Sequence, residues 1–463
     1  MARWSDRDWY PNADLGRILD SSGMSHDALA LRVNELTWHA GIRTQYTNTS
    51  VSNWVKRGML PRPPTPDCIA AALGEHLGRP VHVTDIGMSE PRGTIPDIGL
   101  DFPRETADAV HGVLAFWRHV DRRAFLNRSF AIGAFAVPVT RWLAVPADAA
   151  SSHHDAGGQR VGREDIAHLW TAVEEARVAD SQFGGGNWKA SSTAACLREY
   201  ATPLLKGTYT EETGKALFGV TAELTRQIGW SAFDAGHQGA AQRHFIQALR
   251  LARAAADVQA GAYILTTMSL AAFLRGHPTE AVDMAEGAYE RAKNLPNAEK
   301  VLSFAKLAQA RAHARAGQTR EATTALALSE NLLDRTRTET APAWMAYYTR
   351  ERLATDATEI YRDLGRTHDA LTWSQQADTM PAQRYTRAVG IRLAVEASAH
   401  LHNNDLEQGL AVADHSVQLL SKVRSARAHG YVHSLTTMLA TRQRDKRVTA
   451  FIEHARRNLP APS

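Results

Sequence analysis

The sequence predicts an all-α protein: a small helix-turn-helix unit followed by a solenoid of helical hairpins. Three observations carry that prediction. One pattern of turn and small residues recurs five times in the C-terminal half. Near the N-terminus, two segments with helical periodicity flank a polar turn. The chain of 463 residues, 44% hydrophobic, has the length of about three domains and enough apolar side chains to bury large cores.

The first unit is expected over residues 1–88. Ser25 is placed to cap a helix whose apolar face is Ala28, Leu29 and Val33, and a second helix in TNTSVSNWVKRG anchors through Val51, Trp54 and Val55. From Ala30 to Val51 is 21 positions, twice what a compact helix-turn-helix needs. The surplus of about eleven residues equals about three helical turns. The first helix is therefore expected to run on to about Trp38, with GIRTQYTN as an enlarged turn.

The second helix leaves Asn48, Thr49, Ser50, Ser52 and Asn53 facing outward, with Lys56 and Arg57 at its end. Amides and hydroxyls suit base edges, while the two cations and the helix N-terminus suit phosphates. His26, opening the first helix, and Arg43, in the turn, complete the candidate DNA-binding set. Residues 1–88 hold nine Arg/Lys and nine Asp/Glu, so the unit as a whole is not basic. The window from Leu36 to Pro66 nevertheless has no acid and contains Arg43, Lys56, Arg57 and Arg62. Phosphate contact requires a local positive face more than a net charge.

Residues 89–160 are expected to form a linker plus apolar connector helices: a Pro/Gly-bearing stretch, MSEPRGTIPDIGLDFP, then helical sequence from about Thr106 to Val145, then the loop AVPADAASSHHDAGGQR. DRRAFLN at 121–127 and the apolar run behind it imitate a twin-arginine export signal. That run follows a complete domain and is broken by Pro138 and Arg141 before it could span a bilayer, so a buried connector is expected.

Residues 161–463 carry the repeat. A turn residue is followed five positions later by a small residue and seven after that by another: Gly236, Ala241, Ala248; Gly276, Ala281, Ala288; Gly317, Ala322, Ser329; Gly365, Ala370, Ala377; Asn404, Gly409, Ser416. Seven positions before each turn stands Gly229, Ser269, Ala310, Thr358 or Ala397. Small side chains at these offsets let two antiparallel helices approach closely, and Gly or Asn ends a helix in the left-handed conformation. The unit is a tetratricopeptide-like hairpin. The turns lie 40, 41, 48 and 39 residues apart, longer than the usual spacing of about 34, so helices or loops must be extended. The final segment, TRQRDKRVTAFIEHARRNL, is expected to be a basic capping helix whose Arg444, Lys446, Arg447, Arg456 and Arg457 face solvent.

In such a stack the first helix of each hairpin lines the concave surface, on positions three before, one after and four after its small crossing residue. Trp230, Phe233, Thr266, Phe273, Arg311, Glu359 and Arg362 are the resulting effector-site candidates. Aromatics at one end and charges at the other suit a peptide, an amphipathic small molecule or a protein effector.

GMSHDALA, TSVSNW and a closing KRG, followed by Pro61 and the helix DCIAAALGEHLG, resemble the Cro/repressor-like (XRE-type) helix-turn-helix class over roughly residues 12–87. Taken whole, VNEL, PRPPTP, LGRPV, FGGG, LLKGTY and GWSAFDAGHQGAAQRHFIQALRLA make the chain similar to actinobacterial transcriptional regulators with an XRE-like head and a tetratricopeptide-like array. That resemblance implies control of differentiation or secondary metabolism. Two-fold symmetric operators demand two heads at a helical-turn spacing, so a homodimer on double-stranded DNA is expected. The alternative is a tetratricopeptide adaptor whose head docks a protein.

Other classes find no residues to stand on. Cys68 and Cys196 have no CxxC partner, which fits a reducing cytoplasm and excludes a cysteine-built zinc site. FGGGNWKASST at 183–193 lacks the P-loop spacing, and His153, His154 and Asp155 lack a third ligand on a helix. Nothing resembles GxSxG, a kinase set or a Rossmann fingerprint. MARWSDRDWYPNAD has no apolar signal core, and a net charge of +4 is small for this length. The expectation is a cytoplasmic, nucleoid-associated protein with no enzymatic activity, no metal, no cofactor and no membrane partner.

Overall fold

The computed structural model describes residues 11–39, 42–61, 64–78, 81, 83, 85–88, 98–119, 129–148, 159–186, 192–337 and 341–460. Arg62, residues 121–127, and His153, His154 and Asp155 lie outside them. The chain divides into two compact units, Met1–Pro96 and Asp97–Ser463. The described residues are helices and their connections, with an isolated bridge between Arg160 and Thr208 in place of any sheet among them.

The first unit holds α1 (Ala13–Ser22), α2 (His26–His39), α3 (Asn48–Arg57) and α4 (Thr65–Leu77). The Asn12 side chain caps α1 by accepting from the Leu15 N–H at 3.0 Å. Ser25 Oγ caps α2 by accepting from the Ala28 N–H at 3.2 Å. The α2 helix runs six residues past Val33 to His39, close to the end expected at about Trp38. Leu29, Val33, Val51 and Trp54 pack with Leu15, Leu19, Ile69 and Leu73 in one core. Ala28 is exposed, contrary to expectation, and Ala30 takes its place inside. The helix is turned so that positions 29, 30 and 33 form the apolar stripe.

The second unit opens with α5 (Thr106–His119), α6 (Ala136–Ala144) and the long α7 (Arg163–Phe183). Short helical turns between Ser192 and Leu205, π-helical over Cys196–Ala201, lead to five hairpins. These pair α8 (Glu211–Asp234) with α9 (Gln238–Ala254), α10 (Val258–Leu274) with α11 (Pro278–Ala292), α12 (Glu299–Arg315) with α13 (Thr319–Asp334), α14 (Arg350–Asp363) with α15 (Thr367–Gln376), and α16 (Thr386–His402) with α17 (Leu406–Leu420). The five turn residues Gly236, Gly276, Gly317, Gly365 and Asn404 adopt φ of 91°, 85°, 73°, 71° and 59°, so each hairpin ends its first helix in the left-handed conformation the sequence requires. Hydroxyls tie the crossings: Ser269 Oγ donates to the Ala281 carbonyl at 2.6 Å and Ser416 Oγ to that of Gly390 at 2.8 Å.

Each first helix packs on the first helix of the next hairpin. Two more helices, α18 (Ala426–Leu439) and α19 (Lys446–Asn458), finish the unit. The α7 helix packs against both α8 and α16, and α18 packs against α8, so the row of hairpins curls until its end meets its beginning. On α19, Val448, Phe451, Ile452 and Ala455 are buried while the five basic residues near it face solvent.

The connector belongs structurally to the hairpins. Arg243, Gln247 and Arg250, at positions i, i+4 and i+7 of α9, donate to the carbonyls of Ile98 (3.1 Å), Gly99 and Asp101 (both 3.0 Å) and Pro103 (2.7 Å). The segment 98–104 is thereby strapped along a polar helix face that would otherwise meet water. Further on, Trp142 of α6 is fully buried against α10, where a Cβ on Gly261 would come within 2.5 Å of the indole. No helix among the described residues is long and apolar enough to cross a membrane.

Candidate functional site

The head presents α3 on a rigid turn. Asn34 of α2 fixes it by donating from Nδ2 to the Tyr46 carbonyl at 2.9 Å and accepting at Oδ1 from the Tyr46 N–H at 2.9 Å and the Thr44 hydroxyl at 2.8 Å. Tyr46 in turn meets Trp54 edge to face, with ring centroids 5.0 Å apart. Val51 and Trp54 point inward, leaving Thr49, Lys56 and Arg57 exposed and Ser52 and Asn53 half-buried. Ser50 Oγ accepts from the Thr47 N–H at 3.2 Å, which makes Ser50 part of the helix cap. His26 is half-buried at the start of α2, and the Arg43 guanidinium lies 4.9 Å above the Trp38 ring.

One acid crosses into this face from outside the acid-free window. Asn48 Nδ2 donates to Asp27 Oδ2 at 3.1 Å, so a carboxylate stands at the N-terminus of α3. A carboxylate there already complements the helix dipole and repels a phosphate, so the helix N-terminus is a weaker anion site than the sequence suggests. The positive character of α3 is concentrated at its other end, at Lys56 and Arg57.

In the second unit, the first helices of the hairpins join α7 and α18 around a cavity. Trp230, Tyr263, Phe304, Tyr347, Tyr385 and Tyr431 supply aromatic walls, and seven arginines with three carboxylates supply the charge. Arg311 donates to Asp356 at 2.9 Å and to Glu359 at 2.5 Å. Glu359 also accepts from the Tyr431 hydroxyl at 2.7 Å. Burial by itself would raise the Glu359 pKa; Arg311 and Arg362, with that hydroxyl, hold the carboxyl below the ordinary range. Burial and the neighbouring Glu359 push the Tyr431 pKa up, so its proton stays in place as a donor.

A second buried cluster closes the curl. Asp234 at the end of α8 is fully buried and meets Arg387 of α16 at 2.9 Å, Arg427 of α18 at 3.0 Å and the Gly185 N–H at 3.0 Å. Arg387 reaches Asp180 of α7 at 2.5 Å as well. Desolvation opposes ionisation of Asp234, and Arg387 and Arg427 overcome it, so its pKa lies below the usual value.

Of the seven effector candidates, Trp230, Arg311 and Glu359 line the cavity. Phe233 and Arg362 line an adjoining opening at the hairpin-turn end, which shares Leu274, Arg427 and Tyr431 with the cavity. Thr266 and Phe273 do neither. Thr266 is fully buried with its hydroxyl donating to the Ala262 carbonyl at 2.8 Å, and Phe273 lies under the guanidinium groups of Arg311 and Arg315. Around Ser269 the cavity-lining residues are Tyr263, Thr267, Leu270 and Leu274, a stripe at 3.6 periodicity turned by about one residue from the expected one.

Residues 15–89 match the family described as the SP15 N-terminal domain. No curated protein matches the chain. The family match lies within the first unit.

Sequence reading missed Asn34, Tyr347 and the Asp180–Arg387–Asp234 cluster. VNEL held the first, and the one 48-residue turn spacing signalled the second. The extra residues there form a short turn over Ala343–Met345 that buries Met345 and Tyr348 and brings Tyr347 to the cavity. Nothing local marks the third, because its members come from helices far apart in sequence. Among the described residues no group of three or more His, Cys, Asp or Glu is arranged to hold a metal ion.

Proposed function

We propose that the protein is a sequence-specific DNA-binding transcription regulator, acting as a homodimer, whose tetratricopeptide-like array senses an effector. The carrying observation is α3: a short helix anchored by Val51 and Trp54, pinned through Asn34, and presenting Thr49, Ser52 and Asn53 ahead of Lys56 and Arg57. Polar groups that accept and donate suit base edges, and the two cations at the far end suit the phosphate backbone. The likeness of the sequence to XRE-headed actinobacterial regulators supports the same reading.

The test is selection of bound sequences from random double-stranded DNA with the full chain, followed by titration of variants. Asn53→Ala is expected to cost ~1–3 kcal/mol on the selected sequence and to relax preference at one position. Lys56→Ala is expected to weaken all sequences alike and to lower the salt slope by about one. Equal losses on selected and random DNA from both changes would remove base readout from the proposal.

A second reading has an observation of its own. Leu31, Trp38 and Leu60 are 65%, 56% and 55% exposed on the head. An adaptor whose head docks a protein would use them. Recovery of no preferred sequence from random DNA, together with a protein partner held by the full chain and released by Leu31→Ser with Trp38→Ser, would favour that reading.

A further inference from the structure

We infer that the opening at the hairpin-turn end of the array is a docking groove for an acidic helical segment of another protein. Size separates this groove from the cavity beside it. The cavity offers about 100 Å³, room for roughly seven to ten waters. The groove offers about 890 Å³ and is open to solvent, so a chain of several residues fits there and not in the cavity.

The shape of one wall suits a helix. Ala426, Gly430, Ser434 and Met438 of α18 line the groove one turn apart, over about 18 Å at a helical rise of about 1.5 Å per residue. Glycine inside a helix costs ~1 kcal/mol relative to alanine, and nothing within the chain accounts for Gly430. It is exposed, its φ is not left-handed, and a Cβ added there would meet no atom within 4 Å. With Ala426 and Ser434 on either side it leaves a shallow channel in which a second backbone can lie close, since the distance between packed helices is set by the side chains at their contact.

Charge sets the chemistry of the occupant. Arg275, Arg315, Arg362 and Arg427 stand in the groove beside Asp363. Some of that charge is matched internally: Arg427 and Arg387 share Asp234 and Asp180. Arg311, Arg315, Arg352 and Arg362, by contrast, divide Asp356, Glu359 and Asp363 among them, one carboxylate too few. Arg275 is exposed and has no ion pair among the described residues. The Arg315 side chain is 41% exposed and bonds through Nε and Nη2, which leaves Nη1 without an acceptor in the chain. The helix ends add little to this balance, because each first helix stops four residues before the second helix of its hairpin starts and their opposite dipoles meet. The groove is therefore net positive. A helix carries carboxylates at several places along its length, so these arginines need not converge on one group.

This inference rests on the reading of the array as the sensing unit, yet its test uses no DNA, so the two fail separately. Full-length protein is panned against a phage library of random peptides long enough for about four helical turns, and the enriched peptides are synthesised and titrated by fluorescence anisotropy. The expected set carries net negative charge, becomes helical on binding, and loses affinity at least tenfold when its Asp and Glu are exchanged for Asn and Gln. Arg275→Glu breaks no ion pair and should weaken binding at least tenfold. Gly430→Leu fills the channel with a better helix former, so it should abolish binding without lowering the Tm. Both positions are exposed, and circular dichroism checks the fold of each variant. Failure to enrich any peptide, a set without acidic excess, or affinity unaltered in either folded variant would overturn the proposal. Sedimentation velocity covers the other occupant: a dimer that Gly430→Leu converts to monomers would assign the groove to a second copy of the chain and overturn it as well.

Discussion

In the head, Arg17 pairs with Asp14, and Arg32 with Glu35 and Glu75, all with substantially exposed side chains over a core of Leu, Val, Ala and Trp. In the hairpin unit, Arg226 with Glu223, Arg311 with Asp356 and Glu359, and Arg387 with Asp180 and Asp234 are all nine-tenths buried or more. Exposed pairs add little to stability and leave their charges available to a partner. Buried pairs commit their charges to the fold, and losing one member strands the other. The small unit thus keeps a changeable surface, while the large one encloses a polar interior whose geometry is tightly specified.

The largest break of this contrast is Arg387→Ala. It strands Asp180 without a cation in the interior and leaves Asp234 with Arg427 alone, and should destabilise the hairpin unit by ~3–5 kcal/mol, read from urea unfolding followed by circular dichroism. A loss under ~1 kcal/mol would mean that water reaches the cluster and that the burial contrast is overstated.

Acid tests the same point. Glu359 and Asp234 have folded pKa values below their unfolded ones. Their contribution is therefore fully present above the ordinary carboxylate range and disappears as pH falls through and below about 4. Hydrogen exchange resolved by peptide should show α8, α14 and α16 losing protection at pH 3 before α2 and α4 do. Simultaneous loss in both units would contradict the assignment.

A smaller effect probes packing. Gly261→Ala sets a methyl group against the Trp142 indole and should cost ~1–3 kcal/mol, visible as a lower Tm. The smallest belongs to the head: Arg32→Met removes two exposed pairs and should leave the unfolding midpoint where it was. A clear drop would show that surface pairs there hold α2 to α4.

Local signals were legible in the sequence. The run of α2 to His39, the Ser25 cap, the five left-handed turns and the exposed basic face of α19 all depend on residues within a few turns of one another. Three features were not legible, each for a reason of distance or rotation. Asp27 reaches α3 from 21 residues away, so an acid-free window in sequence was not acid-free in space. The polar face of α9 hydrogen-bonds a strap some 145 residues upstream, which no local pattern announces. The cavity stripe lies one residue round from the position chosen by a crossing residue, which moved Thr266 and Phe273 out of the candidate site while Trp230, Arg311 and Glu359 remained in it.

The bond from Arg387 to Asp180 also sets a clock. Its partners are 207 positions apart. At a synthesis rate of ~5–20 residues per second, roughly 10–40 s separate their appearance from the ribosome. Hairpins can form one by one during that interval, because each needs only its neighbours. Asp180 and Asp234 must spend it in water, still charged and unmatched. Closure is consequently the last event in the making of the array, and the cavity comes into being only when α16 and α18 have arrived to complete it.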